Sequence, residues 1–117
     1  MGDVWIRTAD QGLIRAAKVT EIRTSRGSVH EERGYAVTVV AGGKAFHVID
    51  DSELVGAQAE RLDYARRLQD ALLLAMDTAR DAEAPMVISY EKDREGWMLT
   101  PASDLARDFP PLSYAKD

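Results

Sequence analysis

Two adjacent glycines constrain this chain more than any other pair of residues. Gly42-Gly43 separates a run from Tyr35 to Ala41, with Val37, Thr38, Val39 and Val40 in sequence, from Lys44 to Ile49. In the second run Ala45, His47 and Ile49 alternate with Phe46 and Val48. β-Branched side chains crowd a helix but fit a pleated strand. A Gly-Gly link takes positive φ at both positions without a Cβ penalty, the geometry of the primed turns that join antiparallel strands. The segment is therefore predicted to be a β-hairpin.

The residues before it extend the same logic. Val4 to Thr8 is rich in strand formers and closes on Ala9-Asp10-Gln11-Gly12, a turn signal. Leu13 to Thr24 resumes strand character, with Ala17, Val19, Glu21 and Arg23 on one face and Ile14, Lys18, Thr20 and Ile22 on the other. The alternation is imperfect and predicts a bulge or break near Ala16-Ala17. Ser25 to Gly34 is polar and charged, a hairpin loop longer than the usual ~2–5 residues. Residues 1–50 are thus expected to form an antiparallel meander of four strands.

A different period follows. Asp50-Asp51-Ser52 offers N-cap chemistry, with acidic charge where a helix dipole favours it. Over 57–83 the pattern is helical, with Leu62, Ala65, Leu68, Leu72, Ala75 or Met76 and Ala79 recurring every three or four residues. Asp63 and Arg67 are attractive i,i+4 neighbours; Asp77 and Asp81 are repulsive ones. Ala84-Pro85 ends the helix, because proline drives its predecessor out of αR. Residues 85–100 read as a hairpin, Met86 to Glu91 and Trp97 to Thr100 around a charged turn. Residues 101–117 read as an extended tail, broken by one helical turn at Ser103 and carrying Phe109 and Leu112.

The fold class expected is therefore α+β: a four-stranded antiparallel meander, one long helix and a C-terminal β-hairpin. A chain of 117 residues with 45% hydrophobic and 30% charged residues suits one domain with a normal core. Within it Leu72, Leu73 and Leu74 are consecutive, so they fan through roughly 200° of the helix at about 100° per residue. A single sheet cannot cover that arc. Either the C-terminal segment wraps the helix or a second chain covers it, and in the second case these three leucines, with Phe109 and Leu112, are the expected interface.

Composition narrows the function classes. With no cysteine, disulfides, thiolate metal sites and thiol nucleophiles are excluded, which fits a reducing cytoplasm. The N-terminal stretch has neither a basic nor an apolar signal region, and Ile6 stands where a myristoylation motif wants Ser or Thr. The longest apolar run, Ala71 to Met76, is far short of the ~20 residues that span a bilayer, so no membrane association is expected. Arg outnumbers Lys by 11 to 4 and asparagine is missing, a bias common in GC-rich bacterial genomes. Net charge is −5, from +2 in residues 1–49 and −7 in residues 50–117. An acidic chain is a poor non-specific binder of nucleic acid.

No catalytic motif emerges. His30-Glu31-Glu32 lacks the second histidine of a zincin helix, since Gly34 stands there, and adjacent residues rarely converge on one ion. Asp50-Asp51 with Glu53 matches no EF-hand spacing and is better explained by capping. Gly42-Gly43-Lys44 lacks the strand-to-helix context and the Ser/Thr of a phosphate loop. Ser52, Ser89 and Ser103 lack a nucleophile elbow. His47 on a strand reads as a sheet-face residue, and no cofactor is expected.

The leading expectation is a small, soluble, cytoplasmic bacterial interaction or regulatory module, non-enzymatic and homodimeric. Two alternatives use other residues. Arg7, Arg15 and Arg23 with Trp5 and Tyr35 give the N-terminal sheet the basic and aromatic side chains that hold a single nucleic-acid strand. A pocket between sheet and helix, using His47, Tyr35 or Asp50, would serve a small ligand or an enzyme.

Overall fold

The computed structural model describes residues 3–26, 35–50, 62–94 and 96–105. The chain is α+β, with its strands in two sheets that share one long helix. The strands are β1 (Val4–Arg7), β2 (Leu13–Arg15), β3 (Val19–Arg26), β4 (Tyr35–Ala41), β5 (Lys44–Ile49), β6 (Met86–Glu91) and β7 (Gly96–Pro101). The helices are α1 (Leu62–Arg80) and the single turn α2 (Ala102–Leu105).

The hairpin at Gly42-Gly43 forms as expected: φ is +60° and +79° at the two glycines, and Ala41 lies opposite Lys44. β3, β4 and β5 make an antiparallel meander. The four-stranded version of that meander does not form, because the expected break near Ala16-Ala17 is larger than a bulge. Ala16–Lys18 is a 3-10 turn that carries the chain out of one sheet at Arg15 and into the other at Val19. β1 therefore pairs with β2 on one side and, in parallel, with β6 on the other, giving the order β2-β1-β6-β7. Parallel neighbours need a long crossover, and the stretch containing α1 supplies it.

Smaller boundaries also move. Ser25 and Arg26 belong to β3, opposite Ala36 and Tyr35, so the loop expected over 25–34 begins later. Pro101 belongs to β7, so the second strand of the C-terminal hairpin runs one residue further than expected, and the helical turn expected at Ser103 is present as Ala102–Leu105. The rest of that loop with His30, the capping residues Asp51 and Ser52, the helical positions 57–61, and Phe109 and Leu112 of the tail lie outside the described residues.

The helix places Ala65, Leu68, Leu72, Ala75 and Ala79 inward, on the expected period. Three alanines on that face let the helix axis approach both sheets closely. Val37, Val39 and Ile49 meet it from the meander; Ile6 and Ile88 meet it from the mixed sheet. All five are fully buried. At about 25 cal/mol per Å² of apolar surface removed from water, this shared core is the main favourable term holding the two sheets together. Trp97 adds direction, its indole N–H donating to the carbonyl oxygen of Leu68 at 2.8 Å. Its ring also packs edge-on against Tyr90, centroids 5.8 Å apart. No described helix is long and apolar enough to cross a membrane.

Candidate functional site

The three consecutive leucines part company in the fold. Leu72 is fully buried in the chain's own core, which removes it from the expected interface, while Leu73 is 60% and Leu74 66% exposed. Leu73 stands on the rim of a groove of about 300 Å³ between α1 and β3, with Val19, Ile22, Gln69 and Met76. Leu74, a further ~100° around the helix, sits on its crown, turned away from the core. The helical repeat puts Arg67, Asp70, Ala71, Asp77 and Thr78 on the same crown, and all are exposed. The predicted Asp63–Arg67 ion pair is present at 3.9 Å. Asp77 pairs with Arg80 at 3.7 Å, and Asp81, its expected repulsive i,i+4 neighbour, falls just beyond the end of the helix.

The residues expected to contact a ligand or nucleic acid do not converge. Arg7 and Arg15 lie in the mixed sheet, where the register puts Trp5 beside Arg15 and Val87, on the face away from the core. The Arg15 guanidinium covers the Trp5 ring at 5.0 Å and reaches Asp3 at 4.0 Å. Arg7 donates to the Gln11 carbonyl oxygen at 3.4 Å. Arg23, Tyr35 and His47 belong to the other sheet, with Arg23 3.7 Å from Glu21. The break at Ala16–Lys18 is what divides the set.

His47 and Asp50 do share a cleft, of about 310 Å³, with Thr8, Ala9, Asp10, Ala45 and Phe46. This cleft lies beside β5 and not between sheet and helix, where the pocket was expected. The grooves alongside α1 include neither His47, Tyr35 nor Asp50. His47 is oriented by its Nδ1, 2.9 Å from the hydroxyl of Thr38, which is itself buried and 3.4 Å from the Ser25 hydroxyl. Across the cleft, Thr8 and Asp10 form a tight polar turn. The Thr8 hydroxyl donates to the Asp10 carboxylate, and the Gly12 N–H donates to Thr8 Oγ1 at 2.8 Å. A Cβ on residue 12 would sit 3.1 Å from that oxygen, so glycine keeps the turn closed. The Thr8 hydroxyl and then the Gly12 N–H hold the Asp10 carboxyl below its ordinary value.

Sequence reasoning passed over Thr8 and Asp10 as cleft residues, although Thr-x-Asp-x-Gly was visible as turn chemistry. What it lacked was the backbone bond from Ala9 N–H to the His47 carbonyl oxygen, 2.8 Å, which brings the turn against β5. Among the described residues no three His, Asp or Glu side chains are grouped to hold a metal ion. Comparison with protein-family models, curated proteins and solved structures finds no match for this chain.

Proposed function

We propose that the chain is a small, non-enzymatic protein-interaction module that acts as a homodimer through the outer face of α1. One observation carries this reading: Leu73 and Leu74 remain 60% and 66% exposed on a helix whose inner face is already sealed. Full burial of a leucine is worth roughly 1.5–3 kcal/mol, so a second surface that covers the pair gains what the fold itself leaves in water. A cytoplasmic, bacterial setting is part of the proposal and rests on composition alone. Sedimentation from micromolar to about 1 mM, the range in which weak dimers populate, tests it. Wild type is expected to shift toward dimer with concentration, and Leu73→Ser/Leu74→Ser to stay monomeric. A wild type that is monomeric throughout overturns the reading.

A second reading draws on the shared outer face of Trp5, Arg7 and Arg15, which suits stacking and phosphate contact with a single nucleic-acid strand. The net charge of −5 opposes it. Fluorescence anisotropy with labelled oligonucleotides at low salt decides: binding that weakens with salt and is lost in Trp5→Ala supports it, and no binding dismisses it.

A further inference from the structure

We propose that the crevice between the end of α1 and the turn Ala16–Lys18 binds a small organic anion. Its charged head sits between Arg15 and Arg80, and its apolar body lies against Val4, Ala16, Ala17 and Met76. The topology makes the space. At this turn the chain leaves one sheet for the other, and two alanines stand where larger side chains would fill the seam. A cavity of about 480 Å³ results. It is larger than the groove at Leu73 and the cleft at His47, about 300 and 310 Å³. Small-molecule sites occupy roughly 300–1,000 Å³. Val4 and Ala16 are buried and Met76 packs half-buried against the core, so the apolar wall is formed in advance. The flexible thioether of Met76 lets that wall adapt to its occupant.

The charge on the walls selects the ligand. Two guanidinium groups and one carboxylate, Asp3, line this cavity in a protein whose net charge is −5. Charges more than about 8 Å apart are largely screened at physiological ionic strength, so the local excess decides what enters. Neither arginine is committed to its present partner. Arg15 meets Asp3 at 4.0 Å and Arg80 meets Asp77 at 3.7 Å, with all four side chains well exposed. Such pairs contribute little and exchange readily for a stronger acceptor. A carboxylate or phosphate head accepts two charge-assisted hydrogen bonds from a single guanidinium. Arg15 is already held for this role. Its guanidinium lies 5.0 Å from the centroid of the Trp5 ring, a cation–π contact that limits its freedom before a ligand arrives. Arg80 is the last residue of α1, where its charge also offsets the negative end of the helix dipole. A cationic molecule gains none of this, and a bare inorganic anion leaves the apolar wall in water. The site is separate from the exposed crown at Leu74, so it stands or falls without the homodimer.

Nuclear magnetic resonance titration of the full, isotope-labelled chain tests the site, with octanoate and octyl phosphate as probes below their micellar concentrations. Saturable shifts are expected at the backbone amides of Val4, Arg15, Ala16, Ala17, Met76 and Arg80 with at least one of the two anions. Arg15→Gln and Arg80→Gln should each weaken binding about tenfold, through the loss of charge-assisted hydrogen bonds. Ala17→Leu, which fills the space and keeps both arginines, should weaken it by a similar factor. All three positions are exposed, and circular dichroism confirms that each variant folds. Octylammonium and inorganic phosphate are the controls, and each should bind about tenfold or more weakly than the better probe. No binding of either probe, or equal binding of octylammonium, overturns the assignment. Shifts centred elsewhere on the chain, or binding indifferent to all three substitutions, do the same. Inorganic phosphate that binds as tightly as either probe means that the arginines attract charge alone, and the organic ligand falls with it.

Discussion

Ile6 of β1 and Ile88 of β6 lie side by side in parallel strands, both with no exposed surface, although they come from opposite ends of the described chain. This contact closes the mixed sheet and presses it onto α1. Truncating either side chain to alanine should destabilise the protein by about 2–5 kcal/mol, and Ile6→Val by about 0.5–1.5 kcal/mol. Urea unfolding curves give the comparison. A loss below 1 kcal/mol for both alanine variants would mean that the mixed sheet does not depend on this contact.

Neighbours on one helix should respond in opposite ways. Leu72→Ala removes a fully buried side chain and should cost about 2–5 kcal/mol. Leu74→Ser, on the exposed crown, should stay within about 0.5 kcal/mol when measured at low micromolar concentration, where self-association is negligible. At high concentration a larger effect of Leu74→Ser on melting temperature is expected, because a partner that binds only the folded state adds stability by mass action.

Trp97→Phe keeps an aromatic ring for Tyr90 but deletes the donor to the Leu68 carbonyl oxygen. The expected loss is about 1–2 kcal/mol, the value of one part-buried hydrogen bond and some ring area. Thermal unfolding followed in the far ultraviolet measures it without relying on the lost indole fluorescence.

Asp10 sets a pH dependence whose sign follows from its partners. The Thr8 hydroxyl and the Gly12 N–H favour the carboxylate, so the folded-state pKa lies below the ordinary 3.8. The resulting stability is present above 3.8 and is lost as pH falls through the lower folded-state value. Asp10→Asn should therefore melt below wild type at neutral pH, and the difference should shrink as pH falls below 3.8. Because the group is exposed, the effect is small, and melting temperatures taken in parallel across the acid range are the measurement. A gap that widens toward low pH would contradict the assignment.

Local chemistry was legible in the sequence and distant pairing was not. The Gly42-Gly43 turn, the break near Ala16 and the inward face from Ala65 to Ala79 each follow from residues within a few positions of one another. The candidate site divides the same way. The excess apolar arc at Leu72, Leu73 and Leu74 was visible from spacing alone. Which of the three the fold would bury depended on where β3 and β7 flank the helix. His47 and Asp50 were visible as polar groups, but their cleft with Asp10 exists only because Ala9 bonds across to His47.

Sequence alone determined the α+β class, the glycine hairpin, the helix with its alanine-lined inner face, and the hairpin that follows it. These are set by backbone preference and side-chain period, which act over a few residues. Tertiary structure alone decided that β1 leaves the meander to pair with β6, and that Leu72 is core while Leu74 is surface. Ile6 is as apolar and strand-like beside one partner as beside another. Only the joint burial of both sheets against α1 selects Ile88.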